Sequence, residues 1–464
     1  VPMDARNIVL LTIDSLRHDY VSCYGDVSNT TPEIDTLANS GVSFDEAVST
    51  ASHTKDSFPG ILTSSLPSIQ GSHHISNKNT SIAEVFRQNG FSTFGLHSTP
   101  MMSMTNNYAN GFDTFLDLAD HEEARFDISS ILDYLPNRVL DNAHRLVEQL
   151  NFADVEQVDS VADATKLTEQ FQEHILKTET PRFCFIHYMD VHTPYTPPAR
   201  YYKNFLSSDI SEQKINEVND LLLSNKDLFR GDPASVSERD LEIAKALYKG
   251  AIRFVDDNVG ELVNHLKNIG EWENTLLVIS ADHGEEFREH GGFFHGQKLY
   301  EELIRVPLIF SGGAVPNHHV ENQVSLLDLA PTIIDLCGLS PPDSMLGESL
   351  GNTVITKQPK TEYALSEASV KRLGTDIGRT ISCRAADGRK LIFNETDSDW
   401  SDTKFEFYNL QEDPNEQDNL IGTVPDDELQ DLRERIESLA QGEISQDDMG
   451  GVVEDRLKSL GYLE

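Results

Sequence analysis

The chain has 464 residues, 38% of them hydrophobic, enough for one large α/β domain and a smaller companion. Lys and Arg number 37 against 77 Asp and Glu, a formal net charge of −40, and the acids are spread along the whole chain instead of forming a tail. Such a surface repels nucleic acid and anionic lipid. It also resembles the composition of proteins from high-salt cytoplasm, where repulsion is screened within about 3 Å at 1 M salt.

In chain order, the first predicted element is a buried parallel strand over Asn7–Asp14, a continuous apolar run that ends in an acid. The residues before it carry no apolar leader and no cleavage signal. No run of about 18 apolar residues occurs, so no membrane span is expected. Ala51–Ser57 reads as a loop entering a helix over the apolar segment Phe58–Leu66. Phe91–His97, Arg182–Asp190, Thr275–Asp282 and Val306–Phe310 read as further strands. The clearest helix runs from about Leu241 to Leu266, with apolar residues at 244, 247, 251, 254, 255, 259 and 262, and another covers Asp328–Leu336. Strands alternating with helices predict an α/β fold, a doubly wound, mostly parallel sheet flanked by helices.

The polar stretches 101–180 and 200–240 read as insertions lying over the sheet, outside the core. From about residue 360 the pattern shifts to short strand-like pieces, Arg389–Phe393 and Lys404–Tyr408 among them. A turn-rich stretch, Glu412–Asn415, and a helical piece near Asp427–Ala440 follow. The expected division is a catalytic domain over 1–355 and a small C-terminal α+β subdomain over 356–464. No internal repeat is present. The four cysteines, Cys23, Cys184, Cys337 and Cys383, form no C-x-x-C pair, so neither a zinc knuckle nor a dithiol redox site is expected. Cys184 lies in an apolar run and reads as a core thiol; free thiols fit a cytoplasmic protein.

Three of the strands end in acids, Asp14, Asp190 and Asp282. In an open parallel sheet, ligands collect at the carboxyl ends of the strands. Asp282 is followed by His283, and Asp190 by His192 two residues on. An Asp-His pair beyond a strand end can give one divalent ion an oxygen and a nitrogen ligand. One such acid alone would read as a helix cap; three at once, two with a nearby His, point to a metal site. Thr54, Ser52 and Ser57 are candidate nucleophiles at a helix start, where backbone N–H groups favour anions. His295 lies in the Gly-rich loop Glu289–Gly296, where glycine lets the backbone approach a ligand, and His290 competes with it there. His73-His74 and His318-His319 read as solvated. Sequence neighbours often point apart, so His53 is not grouped with Thr54.

These residues resemble the sulfatase family of the alkaline phosphatase superfamily, along nearly the whole chain. Leu11-Thr-Ile-Asp-Ser-Leu-Arg-His-Asp-Tyr20 with Cys23-Tyr-Gly25 looks like the family's N-terminal metal-binding strand, and Asn29-Thr-Thr-Pro-Glu-Ile-Asp35 like the segment after it. Met189-Asp-Val-His-Thr-Pro-Tyr195 looks like its central motif. Ser280-Ala-Asp-His-Gly-Glu-Glu286 looks like its second metal motif. His295-Gly-Gln-Lys-Leu-Tyr-Glu-Glu-Leu-Ile-Arg-Val-Pro307 matches the segment that follows, and Tyr408-Asn-Leu-Gln-Glu-Asp-Pro414 with Asn419-Leu420 the C-terminal signature.

The resemblance implies a metal-dependent ester hydrolase. Metal ligands fall on Asp14, Asp282 and His283, and the nucleophile on Thr54, whose oxygen also faces the ion. Asp190, His192 and His295 fall where relatives bind the substrate's oxyanion, protonate the leaving group or, in two-metal phosphodiesterases, hold a second ion. The departures matter too. Sulfatases that use formylglycine carry Cys-x-Pro-x-Arg or Ser-x-Pro-x-Arg, and this chain has Thr54-Lys-Asp-Ser-Phe58. Thr cannot become that aldehyde. Ser15 replaces a paired acid, and Gly296 stands where Lys is usual, with Lys298 nearby. A Thr nucleophile matches phosphodiesterase and phosphoethanolamine-transferase relatives, so phosphoester or phosphodiester cleavage is favoured over formylglycine-type sulfate hydrolysis.

Such a ligand set accepts Ca²⁺, Mg²⁺, Mn²⁺ or Zn²⁺. The expected partner is a small anionic ester, carried on a glycan or a lipid head group; the sequence sets no oligomeric state. A transferase with the same site is the first alternative. A catalytically silent, metal-stabilised binder of sulfated or phosphorylated glycans is the second, and a sulfatase using Thr54 directly is the third.

Overall fold

The computed structural model describes residues 5–25, 28–70, 75–76, 78–102, 106–119, 163–207, 209–224, 236–313, 315–351, 354, 361–370, 378–395 and 405–441. Its central strand is β1 (Asn7–Ile13), buried at every position. Two parallel neighbours flank it, β5 (Arg182–Tyr188) and β6 (Thr275–Ala281). Asn7 pairs with Arg182 on one side and Thr275 on the other, and Ile13 with Tyr188 and Ala281. The three strands therefore end level, and the residues after them emerge along one edge.

The remaining strands are β2 (Val42–Val48), β3 (Ser92–His97), β4 (Thr114–Asp117), β9 (Arg305–Ser311) and β10 (His318–Ser325). The eight-stranded order is β10-β2-β9-β6-β1-β5-β3-β4. β9 runs against both of its neighbours, β6 and β2, and the other pairs are parallel. This is the expected mostly parallel α/β sheet. The antiparallel β9 has a local cause. The chain returns from β6 through a hairpin, β7 (Glu286–Phe287) with β8 (Phe293–Phe294), and not through a crossover helix. β9 thus starts at the edge where β6 ends, and segment 282–304 stays on that edge.

Two expectations need correction. The polar stretches are not all outside the core. Thr114–Asp117 is the edge strand β4, and the Ala164–Lys177 helix buries Leu167, Phe171 and Ile175. Phe171 meets Phe94 of β3 with ring centroids 6.1 Å apart. The parts 120–162 and 225–235 lie outside the described residues. His318 is not solvated: it is buried at the start of β10, while His319 on the opposite face hydrogen-bonds Asp45 at 2.7 Å. His73 and His74 also lie outside the described residues.

The long helix Glu238–Asn268 begins at Ser237, whose side chain caps the Asp240 N–H. It also caps a neighbour. Asp256 accepts from Glu33 N at 3.0 Å and Ile34 N at 2.8 Å, at the start of the Pro32–Ser40 helix, whose own N-cap Thr31 makes no side-chain capping bond. Burial pushes the Asp256 carboxyl up to about 7.

A separate antiparallel sheet follows, β11 (Tyr363–Val370), β12 (Gly378–Ala385), β13 (Arg389–Glu395) and β14 (Phe405–Asn409). The Gln430–Gln441 helix packs Leu432, Ile436 and Leu439 against Ile381, Cys383, Leu391 and Phe393. Fully buried Lys390 ties β13 to the main sheet, bonding Glu301 at 3.0 Å and Glu416 at 2.7 Å. Among the described residues, no helix is long and apolar enough to cross a membrane.

Candidate active site

Asp14 follows β1 directly, and Ser15 takes a left-handed conformation at φ 56° to turn the chain there. Ser15 N donates to Asp282 Oδ1 at 3.2 Å, and Ser15 Oγ donates to Asp14 Oδ1 at 2.6 Å. Asp282 and His283 follow β6, and His283 N also donates to Asp282 Oδ1, at 3.0 Å. The next residue must be glycine: a Cβ on Gly284 would lie 2.0 Å from the Glu302 carbonyl oxygen. Thr54 opens the Thr54–Thr63 helix. Its Oγ1 donates to Asp14 Oδ2 at 3.2 Å and lies 3.3 Å from His283 Nε2. The four residues Asp14, Thr54, Asp282 and His283 therefore converge.

One participant was not singled out from the sequence. His187, in β5 and in register with Thr12, places Nε2 3.3 Å from Asp14 Oδ2 and Nδ1 2.9 Å from Thr12 Oγ1. Asp14, His187 and Asp282 each offer a ligand atom within 4.8 Å of the others, all buried.

The donor set fits a divalent cation. His283 Nδ1 lies 2.8 Å from the Gly284 carbonyl oxygen and must donate to it, which leaves Nε2 with its lone pair toward Thr54 and the acids. Asp282 Oδ2 is buried with no hydrogen-bond partner, 3.5 Å from His283 Nε2. Burial and the nearby Asp14 push the Asp282 carboxyl up. Burial opposes ionisation of Asp14 too, but the imidazoles of His192, His187 and His283 outweigh it and hold Asp14 well below the usual carboxylate range. Burial lowers His283, and the two carboxylates overcome that and raise it. Two like charges buried side by side call for a cation between them.

His295 arrives from β8, its ring 4.4 Å from that of His283 and 4.9 Å from that of His192. His192 Nδ1 donates to the Thr193 carbonyl oxygen at 2.5 Å. His53 does belong here, its ring 5.8 Å from His295; burial pushes it down to about 3. Glu285, also unnoticed in the sequence, is fully buried and accepts from Tyr195 Oη at 2.7 Å and from His295 Nδ1 at 3.0 Å. Burial pushes its carboxyl up to about 7.

Asp190 is engaged elsewhere: its Oδ2 accepts from Ala164 N at 2.9 Å, capping the Ala164–Lys177 helix. His290 binds Glu302 at 2.7 Å and the Glu416 carbonyl oxygen at 3.0 Å, away from the cluster. Ser52 Oγ donates to the Gly296 carbonyl oxygen and Ser57 Oγ to that of Ala51, so of the three candidate nucleophiles it is Thr54 whose hydroxyl faces the acids. Phe58 is fully buried against Phe185 and His187.

The family model described as Sulfatase matches residues 6–339, and one described as N-sulphoglucosamine sulphohydrolase, C-terminal, matches 288–442. The chain is 24% identical over 451 residues to the uncharacterized sulfatase YidJ of Escherichia coli (strain K12), covering 91% of this chain and 84% of that protein. It is 24% identical over 479 residues to an arylsulfatase of Clostridium perfringens (strain 13 / Type A), covering 93% and 92%. The phosphonate monoester hydrolase of Agrobacterium radiobacter has a similar structure, with TM-score 0.71 at 19% identity over 95% of this chain and 97% of that one. BT4656, solved with D-glucosamine-2-N,6-O-disulfate as its substrate, gives 0.67 at 20% identity over 94% and 98%.

Proposed function

The chain belongs to the sulfatase family, whose model spans residues 6–339, and we propose that this member uses Thr54 as a covalent nucleophile on small anionic esters, phosphoesters or phosphodiesters before sulfate esters. The observation that carries the reading is the Thr54 hydroxyl, set 3.2 Å from Asp14 Oδ2 and 3.3 Å from His283 Nε2. The preference for phosphorus rests on two residues. Thr54 cannot be oxidised to formylglycine, and the position where formylglycine sulfatases carry Arg is filled by Phe58, a core side chain.

Asp14, Asp282 and His283 would hold a divalent ion, with Thr54 Oγ1 facing it and His187 beside Asp14. Such an ion supplies the positive charge that lowers the hydroxyl pKa and steadies a non-bridging substrate oxygen. Thr54 Oγ1 gives up its proton to solvent and attacks phosphorus in line, and its new bond forms as the bond to the leaving oxygen breaks. His192 or His295 gives the leaving oxygen its proton. Water then cleaves the Thr54 ester. An alcohol in place of that water would make the same site a transferase. The ester is expected on a glycan or lipid head group, and the net charge of −40 with four free cysteines supports a salt-rich, reducing cytoplasm as the setting.

The test is a turnover screen of p-nitrophenyl phosphate, bis-p-nitrophenyl phosphate and p-nitrophenyl sulfate with Ca²⁺, Mg²⁺, Mn²⁺ or Zn²⁺, on wild type and Thr54→Ala. Phosphate or diester turnover should exceed sulfate turnover, and the variant should lose a factor on the order of 10³ or more. Thr54→Ala near wild type would remove Thr54 from the role. No turnover with any ion would favour the silent glycan binder.

A further inference from the structure

Glu285 poses a problem that stability does not answer. Its carboxylate is fully buried, and its hydrogen-bond donors are Tyr195 Oη at 2.7 Å and His295 Nδ1 at 3.0 Å. The nearby Arg17 guanidinium binds elsewhere: the Glu285 carbonyl oxygen at 2.9 Å, Asp19 at 2.8 Å and Glu289 at 2.8 Å. A buried carboxylate held by a phenol and an imidazole is costly to a fold, where a glutamine of the same size would not be. The acid is kept on a strained segment. Arg288 and Phe294, the non-glycine residues at the two ends of the turn that delivers His295, sit at φ 75° and 66°.

His192, the other candidate acid, has a different orienting partner. Its Nδ1 is tied to a backbone carbonyl next to it in sequence. The His295 ring is instead oriented by a carboxylate ten residues away, which accepts the Nδ1 proton and leaves Nε2 as the nitrogen that exchanges protons.

We infer that Glu285 is a positioning residue: it orients His295, so that His295 and not His192 serves the leaving oxygen. The inference rests on the hydrolase reading above. In the first half-reaction Thr54 Oγ1 gives its proton to solvent and bonds to phosphorus, the phosphorus–oxygen bond to the leaving group breaks, its electron pair stays on that oxygen, and the oxygen takes a proton from His295 Nε2. In the second, the attacking water bonds to phosphorus and returns a proton to Nε2 as the Thr54 ester is cleaved, and Thr54 Oγ1 regains a proton from solvent. Tyr195 steadies the other carboxylate oxygen.

The experiment compares phenyl and p-nitrophenyl phosphodiesters on the metal-loaded full chain. p-Nitrophenolate departs without a proton, whereas phenolate is far more basic and gains from one. Glu285→Ala should lose kcat on the order of a hundredfold with the phenyl ester and about tenfold or less with the p-nitrophenyl ester, with KM within about threefold. Glu285→Gln keeps an acceptor for the Nδ1 proton and should restore most of the phenyl-ester rate. His192→Ala should weaken both esters alike. Equal losses with both esters in Glu285→Ala, or a Gln variant no better than Ala, would overturn the assignment. If Glu285→Ala does not fold, Tyr195→Phe, which removes the other support of the carboxylate, must show the same leaving-group dependence in smaller degree, and a flat response overturns it. A wild type that turns over neither ester with any ion refutes the hydrolase reading itself; an active wild type with flat variants refutes only the role of Glu285.

Discussion

Replacing Asp282 by Asn should stabilise the metal-free protein and abolish its stabilisation by divalent ions. Asp282 Oδ2 is buried without a hydrogen-bond partner and faces the like charge of Asp14. An amide nitrogen in its place removes that repulsion and can donate toward His283 Nε2, 3.5 Å away. Relieving one unsatisfied buried group is worth about 1–3 kcal/mol. Over 464 residues the unfolding entropy is on the order of 1 kcal/mol/K, so the melting temperature in chelator should rise by about 1–3 °C. The wild type should gain about 2.7 kcal/mol, or about 3 °C, from an ion at one hundred times its Kd. The variant should gain almost none. Differential scanning calorimetry in EDTA, then with each of Mg²⁺, Ca²⁺, Mn²⁺ and Zn²⁺, reads both effects. A variant that responds to ions as the wild type does, or a wild type indifferent to all four, would refute the reasoning.

Two further outcomes are expected. Asp256 titrates near 7 in the fold against about 4 when unfolded, so the folded state binds the extra proton between those values. Its contribution is fully present below about pH 4 and is lost as pH rises to about 7. Asp256→Asn should therefore show a shallower loss of stability from pH 5 to 7, by up to about 1.4 kcal/mol per unit, and denaturant titrations with the wild type's slope would contradict this. The net charge of −40 should make the melting temperature rise by several degrees between about 0.1 and 2 M KCl as repulsion is screened; a flat or falling profile would show that self-repulsion is not limiting.

The core of the candidate site could be read in the sequence because apolar runs announce strands and their last residues announce an edge. Asp14 and Asp282 end two such runs, and the level register of β1, β5 and β6 brings them together. His187 escaped notice because attention to strand ends passes over a polar residue inside an apolar strand. Thr12 and His187, both mid-run, were the available signal. Glu285 was hidden by its motif, where the Asp-His pair drew the chemistry and the next acid did not. Asp190 shows the opposite failure: its spacing to His192 suggested a ligand pair, yet its side chain serves a helix start. β2, β4 and β10 were missed because edge-ward strands are short or polar, and long-range pairing decides them more than local pattern does.

The level strand ends carry a consequence for synthesis. Asp14 and His187 meet across 173 positions, and Ser15 meets Asp282 across 267. A nascent chain emerging from the ribosome holds Asp14 and Thr54 early but has no chelate until segment 282–283 is out. The proposed ion, held by Asp14, Asp282 and His283, would have its full ligand set only once β6 has docked beside β1.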